Sequence, residues 1–259
     1  MAKTRIEWAD YVWNPTVGCT PASEGCKNCY ARELHNRRHA AHLAGKAMPM
    51  QYEKPFEKIQ LLPERLDDPL HWAKAEYNWK RGRDSIVFVD SVSDLFHRDV
   101  PKEFIEQVWK TMEVAQHLRF VVLTKRPLHM SRVLYELFPY RFLQNVWLGV
   151  SISSMRDYFD IVHLQNIPAE KRVLSVEPML ERIMLTAHNF ENIDWVICGC
   201  ESGANRRPFN NDWARILRDQ CVAAGVPFFF KQGWDENGKV VKMPALDGVV
   251  WDQKPEVKE

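Results

Sequence analysis

The stretch Arg119-Phe120-Val121-Val122-Leu123-Thr124-Lys125-Arg126-Pro127 passes from an apolar run straight into two cations and a proline. A run of about five such residues, with almost no polar alternation, reads as a strand buried on both faces of a parallel sheet. Working outward, the same pattern recurs. Upstream, Tyr11–Val17 leads into Gly18-Cys19, and Ser85–Val89 into Asp90-Ser91-Val92-Ser93-Asp94. Downstream, Asn145–Val150 leads into Ser151-Ile152-Ser153, Arg172–Val176 into Glu177-Pro178, Trp195–Gly199 into Cys200-Glu201-Ser202-Gly203, and Val226–Phe230 into Lys231-Gln232.

The sequence between these runs has helical spacing. Pro101–Leu118 places Phe104, Val108, Met112 and Ala115 on one face, behind a proline. Asn211–Ala224 does the same with Trp213, Ile216, Leu217 and Cys221, with Asp212 near its start and Gly225 beyond its end. Strand–helix alternation of this kind predicts an α/β protein, its βα repeats forming an open sheet or a full or partial (β/α) barrel. In either case polar side chains converge on a ligand at the C-terminal strand edge. Polar residues follow any buried strand, because loops are solvated, so one such ending says little. Seven in succession say more, above all the isolated acids Glu177 and Glu201.

A chain of 259 residues that is 46% hydrophobic can bury one sizeable core, which predicts one catalytic domain over residues 1–259, with a loose polar tail over 247–259. The 35 basic and 34 acidic residues leave a formal charge of +1, so no field over the whole molecule gathers bulk DNA or anionic membrane. The N-terminus has no apolar leader and no stretch approaches the length of a membrane span, which predicts a cytoplasmic protein.

Six cysteines fall in two groups, three in Cys19–Cys29 and three in Cys198–Cys221. Without a secretory signal, that grouping favours reduced thiols and metal over disulfides. Cys19, Cys26 and Cys29 have the spacing C-x6-C-x2-C, with Gly18, Pro21 and Gly25 allowing a loop to fold round a centre. Three thiolates suit a [4Fe–4S] cluster that keeps one iron open to an outside ligand. The alternative is structural zinc on Cys26, Cys29, Cys198 and Cys200, with His35 or His39 replacing a member. Position favours the cluster, because these cysteines follow the first strand of a βα series.

Taken together, Trp13-Asn14-Pro15-Thr16-x-Gly18-Cys19, Gly25-Cys26-x-x-Cys29-Tyr30-Ala31, Ser91-Val92-Ser93-Asp94-Leu95-Phe96-His97, Leu123-Thr124-Lys125-Arg126-Pro127, Ser175-Val176-Glu177-Pro178-Met179-Leu180 and Glu201-Ser202-Gly203 resemble the phage and prophage three-cysteine family related to radical S-adenosylmethionine enzymes. The resemblance runs from about Trp8 to Trp234. It implies a barrel of the radical-SAM type with two cofactors, a [4Fe–4S] cluster and S-adenosylmethionine. A reductant such as flavodoxin or ferredoxin would be a partner. Two departures stand out: the commoner spacing is C-x3-C-x2-C, and Cys200 replaces the second glycine of Gly-Gly-Glu-Ser-Gly.

On that resemblance Ser91, Ser93 and Asp94 receive the methionine amino group. Lys125 or Arg126 holds the methionine carboxylate or a substrate phosphate, and Ser151 a ribose or carboxylate. Glu177 and Glu201 hold ribose hydroxyls or move substrate protons, a role that burial would favour by raising their pKa. Cys200 either donates a hydrogen atom from the pocket or packs as a small apolar residue. Lys231 and Gln232 close the circle. The implied substrate is a nucleotide or DNA base, with isomerisation in thymine hypermodification as one reaction and cleavage of damaged bases as another. The rival from a different class is a zinc-stabilised nucleic-acid-binding protein. His35-Asn36-Arg37-Arg38-His39 and Lys80-Arg81-Gly82-Arg83, near Trp72, Tyr77 and Trp79, have the composition of a nucleic-acid grip or of a solvated face.

Overall fold

In the computed structural model, which describes residues 2–71, 85–139 and 141–256, the apolar runs become strands of one sheet. The basic segment Lys80–Arg83 and its aromatic neighbours Trp72, Tyr77 and Trp79 lie outside the described residues. In chain order the elements are β1 (Ala2–Lys3), β2 (Tyr11–Trp13), β3 (Thr16–Val17), α1 (Tyr30–Leu43), β4 (Gln60–Leu61), β5 (Ser85–Val89), α2 (Lys102–Val114), β6 (Leu118–Thr124) and α3 (Pro127–Leu137). Then come β7 (Val146–Ile152), α4 (Tyr158–Gln165), β8 (Lys171–Val176), β9 (Trp195–Gly199), α5 (Asn211–Ala224), β10 (Phe228–Trp234) and β11 (Val240–Lys242).

The main sheet has the order β1-β2-β5-β6-β7-β8-β9-β10-β11, while β3 and β4 pair separately. From β2 to β10 every pairing is parallel, and β1 and β11 add antiparallel edges. A doubly wound sheet would reverse its strand order part-way; this one does not. The buried faces of α2 to α5 share one core with Val87, Val122, Leu148, Leu174, Val196 and Phe230. The opposite face of the sheet carries a second core of Trp8, Ile86, Val121, Trp147, Val173, Trp195, Ile197 and Phe229. Helices on one face and an aromatic interior on the other make this a partial (β/α) barrel.

Trp8 plugs the N-terminal end of the interior. It is 1% exposed, with its ring 4.8 Å from Phe88 and 5.9 Å from Trp195. Burial of one such indole is worth at most about 4–6 kcal/mol. Side chains tie the two edges of the sheet beneath it: Lys242 Nζ donates to Arg5 O (2.9 Å) and Lys254 Nζ to Trp8 O (2.8 Å).

Local chemistry explains where elements stop. The Tyr11–Val17 run divides at Asn14-Pro15, because proline cannot donate to the ladder and Thr16–Val17 turns away to pair with Gln60–Leu61. α2 ends at Val114, short of the predicted Leu118, where buried Asn145 donates Nδ2 to Met112 O (2.8 Å) and Ala115 O (3.3 Å) and satisfies its last carbonyls. α5 matches its predicted span; Asn210 caps Asp212 N (2.8 Å), and Gly225 terminates it at φ 68°.

The loose tail expected over 247–259 is instead docked as far as it is described. Phe230 N donates to Trp251 O (2.8 Å) and Gln253 N to Phe228 O (3.2 Å). β11 covers only Gln232–Trp234 of β10, so the backbone of Phe228–Phe230 needs these further partners. Among the described residues no helix is long and apolar enough to cross a membrane.

Candidate functional site

The first βα connection carries the three cysteines, and the strand ends assemble around it. Thr16 donates its N (3.1 Å) and Oγ1 (2.9 Å) to buried Asp90, locking the exit of β2 to that of β5. Gly18 bridges Ser93, whose hydroxyl donates to Thr16 O (3.0 Å) and lies 2.8 Å from Thr16 Oγ1. Cys19 N then donates to Phe56 O (3.0 Å). A short 3-10 turn, Glu24–Cys26, follows, and Cys29 stands at the N-cap of α1. All three thiols are half-buried. Beside them, the hydroxyl of Tyr30 donates to Ser91 O and Ser91 Oγ donates to Asn14 Oδ1 (3.0 Å).

Arg126, at the exit of β6, reaches the loop from one side. Its Nη2 donates to Thr20 O (2.6 Å), and its Nη1 lies 2.8 Å from Asp94 Oδ2 and 3.6 Å from Cys19 Sγ. Asp94 also accepts from Thr124 Oγ1 (2.8 Å), Phe96 N (3.0 Å) and Lys125 N (3.2 Å). Four donors use the acceptor capacity of a carboxylate. The structure thus gives Asp94 and Arg126 a framing role around the loop. His97 Nδ1 accepts from Asp99 N (3.2 Å), so its Nε2 carries the proton and donates to Thr20 Oγ1 (2.7 Å). Burial, with Arg126 next, holds the His97 pKa below its ordinary value. Burial, with the Asp94 charge next, pushes the Cys19 thiol up to about 11 against the pull of Arg126. A bound metal overrides such a shift, because it deprotonates the thiols that coordinate it.

Glu201 grips the loop from the other side. Its carboxylate accepts from Arg207 N (2.7 Å), Arg207 Nε (3.1 Å) and Asn28 Nδ2 (3.0 Å), and pairs with Arg207 Nη2. Burial alone would raise its pKa, as the sequence suggested, but the hydrogen bonds from Arg207 and Asn28 win and hold it below the ordinary carboxylate value. Glu201 is thus an ionised anchor of the cysteine loop, not a raised-pKa proton donor. Gly25 meets the scaffold on a third side, where an added Cβ would lie 2.0 Å from Ser153 Oγ and 3.3 Å from Pro178 Cδ.

Strand alternation sorts the remaining residues. Ser151, Ser175, Glu177, Gly199 and Lys231 share the face of the aromatic interior, above it toward the loop. Glu177 Oε1 accepts from Lys231 Nζ (2.6 Å) and Oε2 from Ser175 Oγ (3.3 Å), while Lys125 Nζ donates to Glu177 O (3.2 Å). Glu177 comes close to the strand at Gly199, where an added Cβ would lie 2.9 Å from Glu177 Oε1 and displace that carboxylate. Cys200 points the opposite way. It is 2% exposed within the helix-side core, together with Cys198 and Cys221, and burial pushes its thiol up to about 12. Of the two readings of Cys200, the structure takes packing: Gly199 has the site face and Cys200 lies in the core, away from the position of a hydrogen-atom donor.

The same alternation separates the thiols of the zinc alternative. His35 and His39 are spent on Lys54 O and Tyr52 O, at 2.8 Å each. Among the described residues no three His, Cys, Asp or Glu side chains are gathered as for a single metal ion. A four-iron cluster makes a different demand, since each thiolate binds its own iron. Cys19, Cys26 and Cys29 meet that demand by lining one loop, and the buried hydroxyls Ser23 Oγ and Ser153 Oγ beside Gly25-Cys26 have no partner. Orphaned donors next to thiols are what sulfide-rich inorganic groups accept from, so the residues fit the group.

A family model described as a protein of unknown function (DUF5131) matches residues 3–255. The chain belongs to the DUF5131 family. That description assigns no activity. No curated protein sequence matches. Among solved structures the chain is similar to a spore photoproduct lyase cysteine variant with dinucleoside spore photoproduct, at TM-score 0.49 and 14% identity over 90% of this chain and 67% of that one. Another, a double mutant with bound AdoMet and dinucleoside spore photoproduct, gives TM-score 0.46 and 13% identity over 90% and 67%. Spore photoproduct lyase complexed with the dinucleoside photoproduct gives 0.47 and 12% over 92% and 71%.

Several residues that build the site in this DUF5131 chain escaped sequence reasoning. Asn28 and Arg207 carried no signal, because their importance lies in what they reach across the fold. Thr16 and His97 lay within quoted motifs, and their chemistry was legible only once Asp90 and Thr20 stood beside them.

Proposed function

We propose that the chain is a radical S-adenosylmethionine enzyme whose Cys19, Cys26 and Cys29 hold a [4Fe–4S] cluster. The observation that carries this reading is the placement of three half-buried thiols on one loop at the C-terminal edge of a partial (β/α) barrel, beside two orphaned hydroxyls. When bound, the cluster supplies the electron that splits S-adenosylmethionine, giving a 5′-deoxyadenosyl radical that takes a hydrogen atom from substrate. The protein's own part is positioning. Lys125, with donors beyond the one it gives Glu177 O, and Ser91 and Ser151 are placed to bind the polar groups of S-adenosylmethionine. Glu177 and Lys231 present an acceptor and a donor to substrate from β8 and β10. The aromatic interior beneath them keeps water from the reacting end.

The motif resemblance extends the proposal to a modified nucleotide or DNA base as substrate, a flavodoxin or ferredoxin as reductant, and isomerisation in thymine hypermodification as the first reaction to assay. Anaerobically purified protein should contain about four iron and four sulfide per chain and release 5′-deoxyadenosine on reduction. Cys19→Ala, Cys26→Ala and Cys29→Ala should each lose the cluster. One zinc without such cleavage, or an intact active cluster in any of the three variants, overturns the proposal. Nucleoside mass spectrometry after incubation with modified and with damaged DNA separates isomerisation from base repair.

A further inference from the structure

The span from Cys19 to Cys26 has few bonds of its own. Cys26 N donates to Ser23 O (3.0 Å), and Ala22 N stands 3.5 Å from Cys26 Sγ. Arg32 of α1 donates to Cys26 O (3.3 Å) and Lys27 O, and two further guanidiniums reach the ends of the span from different strands. Arg126 Nη2, from the exit of β6, donates to Thr20 O at 2.6 Å, and Arg207 Nη2, from the loop after β9, donates to Glu24 O at 3.2 Å. Each of these two guanidiniums is backed by a carboxylate that is nearly out of solvent: Asp94 at 7% side-chain exposure and Glu201 at 3%. Each carboxylate is fixed in turn, Asp94 by Thr124 and the amides of Phe96 and Lys125, Glu201 by Asn28, which lies between Cys26 and Cys29.

We infer that Arg126–Asp94 and Arg207–Glu201 are the two arms of a clamp that sets the shape of the three-thiol loop, which makes Glu201 and Arg207 positioning residues for the cluster. The inference rests on the cluster assignment above and adds to it the residues that hold the ligand loop in register. Three physical points carry it. A buried ion pair is costly unless its remaining donors and acceptors are used; here each guanidinium gives a donor to a loop carbonyl, and each carboxylate is satisfied by the other donors just named. The contact needs a fork that meets a carboxylate and a carbonyl at once, which a guanidinium has and an ammonium lacks. Finally, both cations stand beside a loop whose thiolate-bound cluster gains negative charge on reduction, so they favour the reduced form.

The experiment uses the full chain with Arg207→Gln, Arg126→Gln, Glu201→Gln and Arg207→Lys. As control it takes Arg215→Gln, an exposed guanidinium on α5 paired with Asp212 and Asp247. Hydrogen exchange of the metal-free protein reads the clamp directly. Arg207→Gln and Glu201→Gln should speed exchange of the amides over Glu24–Cys29 by about tenfold, roughly what losing one charged hydrogen bond implies, and leave Cys19 and Thr20 unchanged. Arg126→Gln should show the reverse pattern. In cluster-loaded protein, Arg207→Gln should shift the reduction potential to more negative values and alter the electron-paramagnetic signal of the reduced cluster. Arg207→Lys should restore the potential but not the exchange protection, because it returns the charge without the fork. Exchange that rises throughout the sheet, or does not change in the loop, overturns the clamp. Wild-type protein that takes up no iron would sink the functional proposal, while the exchange pattern would still decide the clamp.

Discussion

Asp90 offers a test of the site's electrostatics that needs no cofactor. It follows β5 with a left-handed φ of 58°, is 3% exposed, and accepts from Thr16 N and Oγ1. Burial pushes its pKa up to about 7, against the hydrogen bonds from Ser93 and Thr16 that lower it. A carboxyl whose folded pKa lies above its unfolded value binds its proton more tightly when folded. The resulting stabilisation is complete below about pH 4, declines as pH rises, and is gone above about pH 7. A shift of roughly 3 units corresponds to about 4 kcal/mol in all, with a slope of about 1.4 kcal/mol per pH unit between those limits. Asp90→Asn keeps the acceptor for Thr16 N, supplies a donor to Thr16 Oγ1, and tolerates the left-handed backbone. Urea unfolding of metal-free wild type and variant should therefore diverge by about 3 kcal/mol between roughly pH 5 and pH 8, the variant gaining as pH rises. Parallel stability curves, or divergence in the opposite sense, would refute the reasoning.

Three further outcomes follow from the geometry. Cys200→Ala should cost about 1 kcal/mol of stability through lost core packing and leave 5′-deoxyadenosine release and turnover unchanged; lost turnover with an intact cluster would return Cys200 to the pocket. Gly25→Ala drives a Cβ into Ser153 Oγ, so iron loading should fall while the unfolding midpoint holds, and adding Ser153→Ala should recover part of the loading. Unchanged loading in the single variant would mean that the loop does not need this approach. Glu177→Gln leaves Lys231 without its ionic partner but does not touch the cysteine loop, so the cluster and uncoupled 5′-deoxyadenosine release should survive while product formation drops at least tenfold, as for loss of an interaction made in the transition state. Loss of iron in that variant would place Glu177 in the ligand shell of the metal site instead.

The barrel was legible because its signal is local. Runs such as Trp195–Gly199 declare a strand buried on both faces, and α5 announces its ends through Asp212 and Gly225, although the capping side chain is that of Asn210. The tail over 249–254 was not legible, because its polar composition says nothing about the unpaired edge of β10 that receives it. The site was legible as residue types but not as roles. Glu201 looked fit for proton transfer because burial raises a carboxyl pKa, yet six residues later Arg207 supplies the donors that reverse the sign. The motif position of Cys200 left a pocket thiol and a packing residue both open, and the period-two alternation set by Cys198 and Gly199 decides for the helix-side core.

Because the parallel strands follow one another in chain order, the order of motifs in the sequence is also their order around the rim. That equivalence divides the rim by task. The ends of β5 and β6 give Asp94, Ser93 and Arg126 to the first half of the cysteine loop, and the end of β9 gives Glu201 and Arg207 to the second. Between and beyond those holds, β7, β8 and β10 direct Ser151, Glu177 and Lys231 over the aromatic interior, with their charges set against each other and not against the loop. A ligand entering from the mouth would thus meet one sector whose side chains hold the cysteine loop and another in which the Glu177 carboxylate is paired with Lys231 and Ser175. On the proposed function, the second sector would exchange those pairings for a substrate while the holds on the cysteine loop stay in place. Binding and cluster retention can then be perturbed separately, which a rim with every polar group gripping the loop would not permit.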